Sequence, residues 1–407
     1  MENPSVLDSR YSWTRMIITL VVAIIINAGM WEIIAIMPAV QLEFGLDRAG
    51  ASLPYTLTMI GFGIGNFVIG KAVDRFGVSL SLIGAALGVA LGLYLATIST
   101  SIVMMSFAQL LIGLASAVGF GPLIADISHW FMKRRGIAMA IVASGNYLSG
   151  SIWTLVLADT LSTQGWRSVY MILAFMTLAV VIPLALILRR KLPQDAHTQA
   201  EAISSANAKT SGLSPTALAC LLGVAGVGCC VAMSMPQVHI VSYCVDLGYG
   251  PAVGAEMLSL MLLGGVGSRL VSGLLADKLG GVKTLLIGSL AQCVALFLYL
   301  PSDALISLYV VSLVFGLSQG GIVPSYAVIV REYMPAREAG ARVGFVLMAT
   351  IMGMALGGWS SGLIYDLSGS YQLAFINGIA WNGLNIAIML WLLMRGRPRN
   401  LGQLRTV

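Results

Sequence analysis

One base of this chain, Arg269, lies deep inside a long apolar stretch. It precedes Asp277 by eight residues, about 12 Å along a helix at 1.5 Å per residue. An arginine in such surroundings is costly unless a ligand or a partner neutralises it, and its planar fork suits two-point capture of a carboxylate. We therefore predict that Arg269 binds an anion. The alternative is a structural ion pair with an acid on another helix, although Gly265 occupies the position one turn before it.

His239 is a second candidate, because it closely follows a proline in the run Met235-Pro236-Gln237-Val238-His239. The proline removes a backbone hydrogen bond and is expected to kink the helix, which frees carbonyl groups. Histidine titrates near neutral pH, so His239 is a candidate for both a second anion ligand and a proton carrier. A histidine held by structural hydrogen bonds is the equal alternative.

Glu32 is the clearest acid in the first apolar stretch, about 25 Å along a helix from Arg15. Removal from water favours the neutral form of a carboxyl group, so Glu32 is a candidate proton acceptor. The alternatives are a place at the lipid headgroups or an ion pair with a base. Asp126 is predicted to form a structural ion pair with the basic run 133–135. Neutral side chains are predicted to complete a substrate site: Asn146, Tyr147 and Tyr326.

No catalytic or metal-binding pattern occurs in the sequence. The three histidines, at positions 129, 197 and 239, lie in different segments without metal-ligand spacing. No phosphate-binding loop of the kind that holds ATP is present. The five cysteines all fall in apolar stretches, which indicates buried thiols rather than disulfides. An enzyme is therefore not expected, and neither is a cofactor.

The composition predicts a polytopic membrane protein. Of 407 residues, 58% are hydrophobic and 10% are charged, against about 25% charged in a soluble domain, and the mean hydropathy is +0.89. A helix needs about 20 apolar residues to cross a bilayer, and continuous runs of that length favour helices over a membrane barrel. Twelve stretches qualify, here called spans 1 to 12: 15–40, 52–72, 78–99, 102–131, 136–160, 167–189, 215–244, 252–276, 282–300, 304–332, 342–365 and 372–394.

The basic residues predict the orientation of these spans. Of the 23 Lys and Arg, all but Arg48, Arg167 and Arg269 fall on the side that carries both termini. By the positive-inside rule the termini face the cytoplasm, and we expect a cell inner membrane. This asymmetry accounts for the net charge of +6 without a nucleic-acid partner.

Two stretches repeat after spans 2 and 8, Gly70-Lys-Ala-Val-Asp-Arg-Phe-Gly77 and Gly273-Leu-Leu-Ala-Asp-Lys-Leu-Gly280, with an offset of 203 residues. Gly113 and Gly316 share this offset. The repeat predicts two pseudo-symmetric six-helix bundles, an N-terminal half at 1–189 and a C-terminal half at 215–407, joined by a polar cytoplasmic linker at 190–214.

The chain resembles the major facilitator superfamily over essentially its whole length, because the pattern G-x-x-x-D-[RK]-x-G is the signature loop of that family. The resemblance implies a major facilitator fold. It also implies that the loop residues clamp the cytoplasmic side when the carrier is open outwards, and the residues concerned are Asp74, Arg75, Asp277 and Lys278.

Further motifs resemble the monocarboxylate porter and oxalate:formate antiporter branch: Gln41-Leu-Glu-Phe-Gly45, Ser128-His-Trp-Phe131, Gly165-Trp-Arg167 and Ser268-Arg-Leu-Val-Ser-Gly273. In that branch the arginine of span 8 binds substrate carboxylate. The chain departs from the branch at Gly265, where proton-linked porters often have aspartate, and it has no lysine in spans 1 or 11.

The resemblance and the residues together predict a secondary transporter that moves a small organic anion, most simply a monocarboxylate, by alternating access with proton symport. A carboxylate exchanger and an efflux pump for amphipathic compounds remain alternatives. A non-transporting sensor on the same fold would need an appendage that the short termini do not provide. The expected partners are the anion, protons and the lipid bilayer, and the expected state is a monomer.

Overall fold

The computed structural model describes residues 7–131, 134–190, 213–334 and 336–395. The side chains of Asp74, Arg135 and residues 336–341 lie outside this description, as does nearly all of the predicted linker. The described residues form helices joined by short turns, without a strand. The predicted all-α fold is therefore confirmed.

Each predicted span coincides with a helix or with a helix pair, and the edges differ by a few residues. Eleven helices are long and apolar enough to cross a membrane, and the fifth span completes twelve when its two pieces, bent by 45°, are counted together. The spans in order are Arg10–Phe44, Arg48–Phe76, Val78–Thr97, Ile102–Trp130, Arg135–Val156 with Ala158–Gln164, Trp166–Ile187, Pro215–Asp246, Pro251–Leu279, Gly281–Tyr299, Leu305–Tyr333, Ala336–Ser368 and Tyr371–Arg395.

The last glycine of each repeated loop makes the turn into the next span. Gly77 has φ +84° and ψ 164°, and Gly280 has φ +83° and ψ 164°. A side chain at such a positive φ would be strained, so glycine is the residue that allows this reversal. The two halves thus have the same turn conformation at the same position of the repeat.

One helix contact is also repeated in the two halves. A Cβ at Gly113 of span 4 would lie 2.0 Å from the Thr58 carbonyl oxygen of span 2, and a Cβ at Gly316 of span 10 would lie 2.1 Å from the Met261 carbonyl oxygen of span 8. All four positions follow the 203-residue offset. The glycines therefore permit a close helix crossing that a side chain would block.

Spans 1, 4 and 10 are interrupted near their middles. Span 1 is interrupted at Asn27, whose side-chain amide donates to Ala23 O at 2.8 Å. Span 4 contains a 3₁₀ turn at Ala117–Gly119, and a Cβ at Gly119 would lie 2.5 Å from Asn27 Nδ2, so these two breaks pack together. Span 10 is interrupted at Gly320 and Gly321. Breaks of this kind leave backbone carbonyls available at mid-membrane depth.

The protein has two ends, called here the linker side and the distal side. Arg15 of span 1 contacts Asp126 and Leu188 O, which places the start of span 1 and the ends of spans 4 and 6 together on the linker side. Arg167 contacts Glu43 and Thr97 O on the distal side.

Spans 2 and 11, one from each half, are in contact from their distal ends to about the middle of each helix. Gly362 of span 11 packs on Arg48 of span 2, and Gly63 of span 2 packs on Met352 of span 11. Seven residues further along the same face, a Cβ at Gly70 would meet no atom within 4 Å. The contacts between spans 5 and 8 end in the same way, since Gly273 has open space around it. The interface between the halves therefore opens towards the linker side.

Candidate functional site

Arg269 lies where the two halves meet, and it is 4% exposed. Its Nε donates to Gly320 O at the break of span 10, at 3.1 Å, and its Nη1 donates to Ala143 O of span 5, at 2.6 Å. No carboxylate of the described residues pairs with it, because the three ion pairs found there involve other bases. Backbone carbonyls thus take the place of the acidic partner considered in the alternative hypothesis, and they leave the positive charge uncompensated.

Tyr147 forms one wall of this site. Its ring lies 4.2 Å from the Arg269 guanidinium carbon and 6.0 Å from the Trp31 ring centre. A Cβ at Gly265 would lie 2.8 Å from a Tyr147 ring carbon. The position at which related porters carry an aspartate is therefore covered here by an aromatic ring. Asn146, the neighbour of Tyr147, is 7% exposed and takes part in no hydrogen bond among the described residues.

Two glutamines, Gln237 of span 7 and Gln319 of span 10, add polar groups around Tyr147. Gln237 Nε2 donates to Gln319 Oε1 at 2.8 Å, and Tyr147 interacts with Gln237. Several buried polar atoms there have no partner among the described residues: Trp31 Nε1, Tyr55 Oη, Gln237 Oε1 and Gln319 Nε2. Buried polar groups are normally satisfied, so unpaired ones near a cation indicate a place for a ligand or water. In the sequence these four residues differ from many others only in being polar or aromatic within apolar runs.

His239 lies elsewhere. It is 1% exposed, its Nε2 bonds to Gly358 O of span 11 at 2.8 Å, and its Nδ1 bonds to the Tyr371 hydroxyl of span 12 at 3.2 Å. Both ring nitrogens are thus engaged within the C-terminal half, away from the contacts of Arg269. This geometry fits the structural alternative, and we do not retain His239 as a second anion ligand.

Tyr326 also points away from the meeting of the halves. Its buried hydroxyl donates to Asn385 Oδ1 of span 12 at 2.8 Å, and Asn385 Nδ2 donates to Ser289 Oγ of span 9 at 2.7 Å. This chain of hydrogen bonds joins three spans of the C-terminal half. We therefore withdraw Tyr326 as a substrate ligand, because its one hydroxyl is already used in the core.

Glu32 is 1% exposed, forms no ion pair among the described residues, and leaves Oε1 without a partner. Glu32 is therefore enclosed by protein rather than placed at the outer surface, and no base in the described part of the chain pairs with it. The nearby Tyr170 hydroxyl interacts with it electrostatically and accepts a hydrogen bond from Gln109. Gln109 in turn accepts from Thr58 Oγ1 at 2.8 Å. Glu32 therefore faces a neutral polar chain inside the N-terminal half.

The three predicted gating residues whose side chains are described form no clamp in this conformation. The side chain of Asp74 lies outside the described part. Arg75, Asp277 and Lys278 are exposed, and none of them belongs to an ion pair of the described residues. The ion pair predicted for Asp126 exists with a different partner, Arg15, at 2.9 Å. This is consistent with an interface that is open on the linker side.

Two related six-helix halves with a cation and polar groups buried where they meet define a membrane transporter rather than an enzyme. The profile of the Major Facilitator Superfamily matches residues 19–301 and 220–406 in two overlapping stretches. The chain belongs to this superfamily.

The comparisons also identify individual relatives. The chain is 26% identical to monocarboxylate transporter 13 of Bos taurus over 79% of its length and 75% of that protein. It is 24% identical to the uncharacterized MFS-type transporter YcxA of Bacillus subtilis (strain 168), over 94% and 95% of the two chains. A bacterial homolog of the human lysosomal transporter Spinster, solved in an inward-facing and occupied conformation, shares the fold with a TM-score of 0.67 at 14% identity, over 96% of each chain.

Proposed function

We propose that the protein transports a small organic anion, most simply a monocarboxylate, in symport with protons. The observation that carries this proposal is the buried charge of Arg269 at the meeting of the halves, without an acidic partner among the described residues. A carboxylate would compensate this charge and could take the place of the Ala143 carbonyl as an acceptor of the guanidinium N–H groups. The similarity to a protein named monocarboxylate transporter supports the same substrate class.

The charge balance of the site favours one carboxylate over two. Arg269 is the one base among the described residues that contacts Tyr147, and the other polar groups around that ring are neutral amides, an indole and a phenol. A second carboxylate would enter this buried region uncompensated, which is costly. Asn146 and Tyr147 are the proposed neutral ligands, and the open linker side would give the site access to the cytoplasm.

Glu32 is the proposed proton site. Binding a proton would remove the charge from a carboxyl group that is buried without a base to pair with. Its position inside the N-terminal half separates the proton from the anion, so coupling would act through movement of span 1 rather than by direct contact. His239 is the weaker candidate, because both of its nitrogens are already bonded. We further propose an inner-membrane monomer with cytoplasmic termini.

The test is uptake of labelled monocarboxylates into proteoliposomes with and without an inward proton gradient. Wild type is expected to accumulate at least one acid in response to the gradient, whereas Arg269→Gln is expected to lose transport of that acid by about a hundredfold, the order of losing a buried charge-assisted contact. Lys283→Gln, which removes an exposed base, is the control. Full transport by Arg269→Gln would contradict the site. Uptake that is unaffected by the proton gradient but requires a carboxylate preloaded inside the vesicle would favour exchange.

A further inference from the structure

The described residues contain one ion pair that joins the two halves. Arg48, the first residue of span 2, pairs with Asp246, the last residue of span 7. The other two pairs, Arg15 with Asp126 and Arg167 with Glu43, lie within the N-terminal half. Arg48 is 7% exposed although it lies at the distal end of its helix. The ion pair that joins the two halves therefore lies at the distal side.

A second carboxylate crosses between the halves at the same point. Asp366 of span 11 accepts the Arg48 backbone N–H on Oδ1 at 2.8 Å and the Ala49 backbone N–H on Oδ2 at 2.7 Å. These N–H groups belong to the first turn of span 2 and have no acceptor within their own helix. A negative charge at this end of a helix is favoured by the helix dipole. Asp366 thus caps a helix that belongs to the other half.

The remaining contacts fix the Arg48 side chain. Gln41 Oε1 accepts from its Nη1 at 2.7 Å, and the Tyr365 ring centre lies 5.3 Å from its guanidinium carbon. A Cβ at Gly362 would lie 2.9 Å from the Arg48 carbonyl carbon and oxygen, so the two helix backbones are in close approach. The Arg48 guanidinium is largely shielded from water, which strengthens its attraction to a carboxylate, whereas Asp246 and Asp366 are both partly in contact with solvent.

We propose that Arg48, Asp246 and Asp366 form a distal latch that holds the distal side closed and must break for the carrier to open there. Because these contacts are formed while the distal side is closed, the latch favours the present conformation. Removal of Asp246 leaves the buried Arg48 guanidinium without its carboxylate, which is the costly way to lose an ion pair, whereas removal of Arg48 leaves carboxylates that already contact solvent. Rocking would relieve this cost by exposing the remaining charge to water. The inference does not depend on which substrate is carried.

The test measures the separation of the halves on the distal side by pulsed electron paramagnetic resonance. Spin labels are placed at Thr100 and Asp303, exposed positions of distal loops that are related by the 203-residue offset. The two accessible cysteines, Cys220 and Cys293, are first replaced by serine. The full chain is studied in lipid nanodiscs without substrate.

Wild type is expected to show mainly the short distal distance. Arg48→Gln and Asp246→Asn are expected to add a longer distance. Asp246→Asn is expected to raise the open-to-closed ratio about tenfold, because it leaves the buried Arg48 charge unpaired, and Arg48→Gln by a smaller factor, because the carboxylates that remain are exposed. The matched control is Glu43→Gln, which weakens a distal ion pair inside one half and is expected to leave the distribution unchanged.

Asp366→Asn is the second variant, because it removes one charge while leaving the pair between Arg48 and Asp246 in place. It is expected to shift the distribution in the same direction by a smaller factor, and it decides the question if Arg48→Gln does not yield folded protein. Distance distributions of folded latch variants that match the Glu43→Gln control would overturn the proposal. A shift of equal size in Glu43→Gln would overturn it too, since the effect would then be general to distal charges.

Discussion

Gly265→Ala probes the site through a single added methyl group. The new Cβ would lie 2.8 Å and 2.9 Å from Cε2 and Cδ2 of the Tyr147 ring. Real Cβ contacts are not that short, so the ring must shift from its present position beside Arg269. Overpacking of this kind costs about 1–3 kcal/mol. The displaced ring would also weaken the stacking on the guanidinium, which is worth about 0.5–2 kcal/mol.

We expect Gly265→Ala to raise the apparent KM for the carboxylate about tenfold, since about 1.4 kcal/mol corresponds to a factor of ten. The assay is initial-rate uptake into proteoliposomes, together with the thermal midpoint of the purified protein. Gly267→Ala is the control in the same helix, because its Cβ would meet its nearest atom only at 3.8 Å. Transport by Gly265→Ala that equals Gly267→Ala would refute the reasoning.

A double variant distinguishes the effect of steric crowding at Gly265 from the effect of losing the Tyr147 ring beside Arg269. Tyr147→Ala makes room for the new methyl group, so that Gly265→Ala with Tyr147→Ala should regain thermal stability relative to Gly265→Ala alone. It should not regain the wild-type KM, because the ring that stacks on Arg269 is then absent. Recovery of both quantities would show that Tyr147 only occupies space.

Three further changes have definite expected outcomes. Glu32→Gln should fold and exchange substrate but lose gradient-driven accumulation in proteoliposomes, because the amide cannot take up a proton; unchanged accumulation would remove Glu32 as the proton site. Tyr326→Phe should leave the KM unchanged and lower the free energy of unfolding by about 1–3 kcal/mol, since the buried Asn385 oxygen loses its donor; a raised KM would return it to the binding site. Gly113→Ala should lower the thermal midpoint strongly through a collision with the carbonyl of span 2, whereas Gly84→Ala, which has open space around it, should not.

The sequence was sufficient for the architecture because the bilayer imposes a simple rule on it. An apolar run of bilayer length predicts a span whatever its neighbours are, and the repeat around Gly77 and Gly280 predicted the relation between the halves. The depth of Arg269 was also predictable, since the rise per residue is fixed from Asp277 onwards.

The direction in which a side chain faces was much harder to predict. Lipid-facing and bundle-facing sides of these helices are both apolar, so the pattern does not tell which face of span 7 or span 10 meets the other half. For this reason His239 and Tyr326 were predicted as ligands, although each is bonded inside the C-terminal half. Trp31 and Tyr55 were missed because an aromatic residue in an apolar run gives no sign of its free polar atom.

The Ala143 carbonyl that Arg269 holds across the interface changes what a binding measurement would report. In the present conformation an entering carboxylate would not meet a vacant cation, because Nη1 is already occupied at 2.6 Å. Association would therefore be a replacement reaction in which one acceptor leaves as another arrives, and the observed affinity would be the difference between the two. A modest dissociation constant is then compatible with a strong contact, and the same trade would ease unloading of the substrate towards the open side.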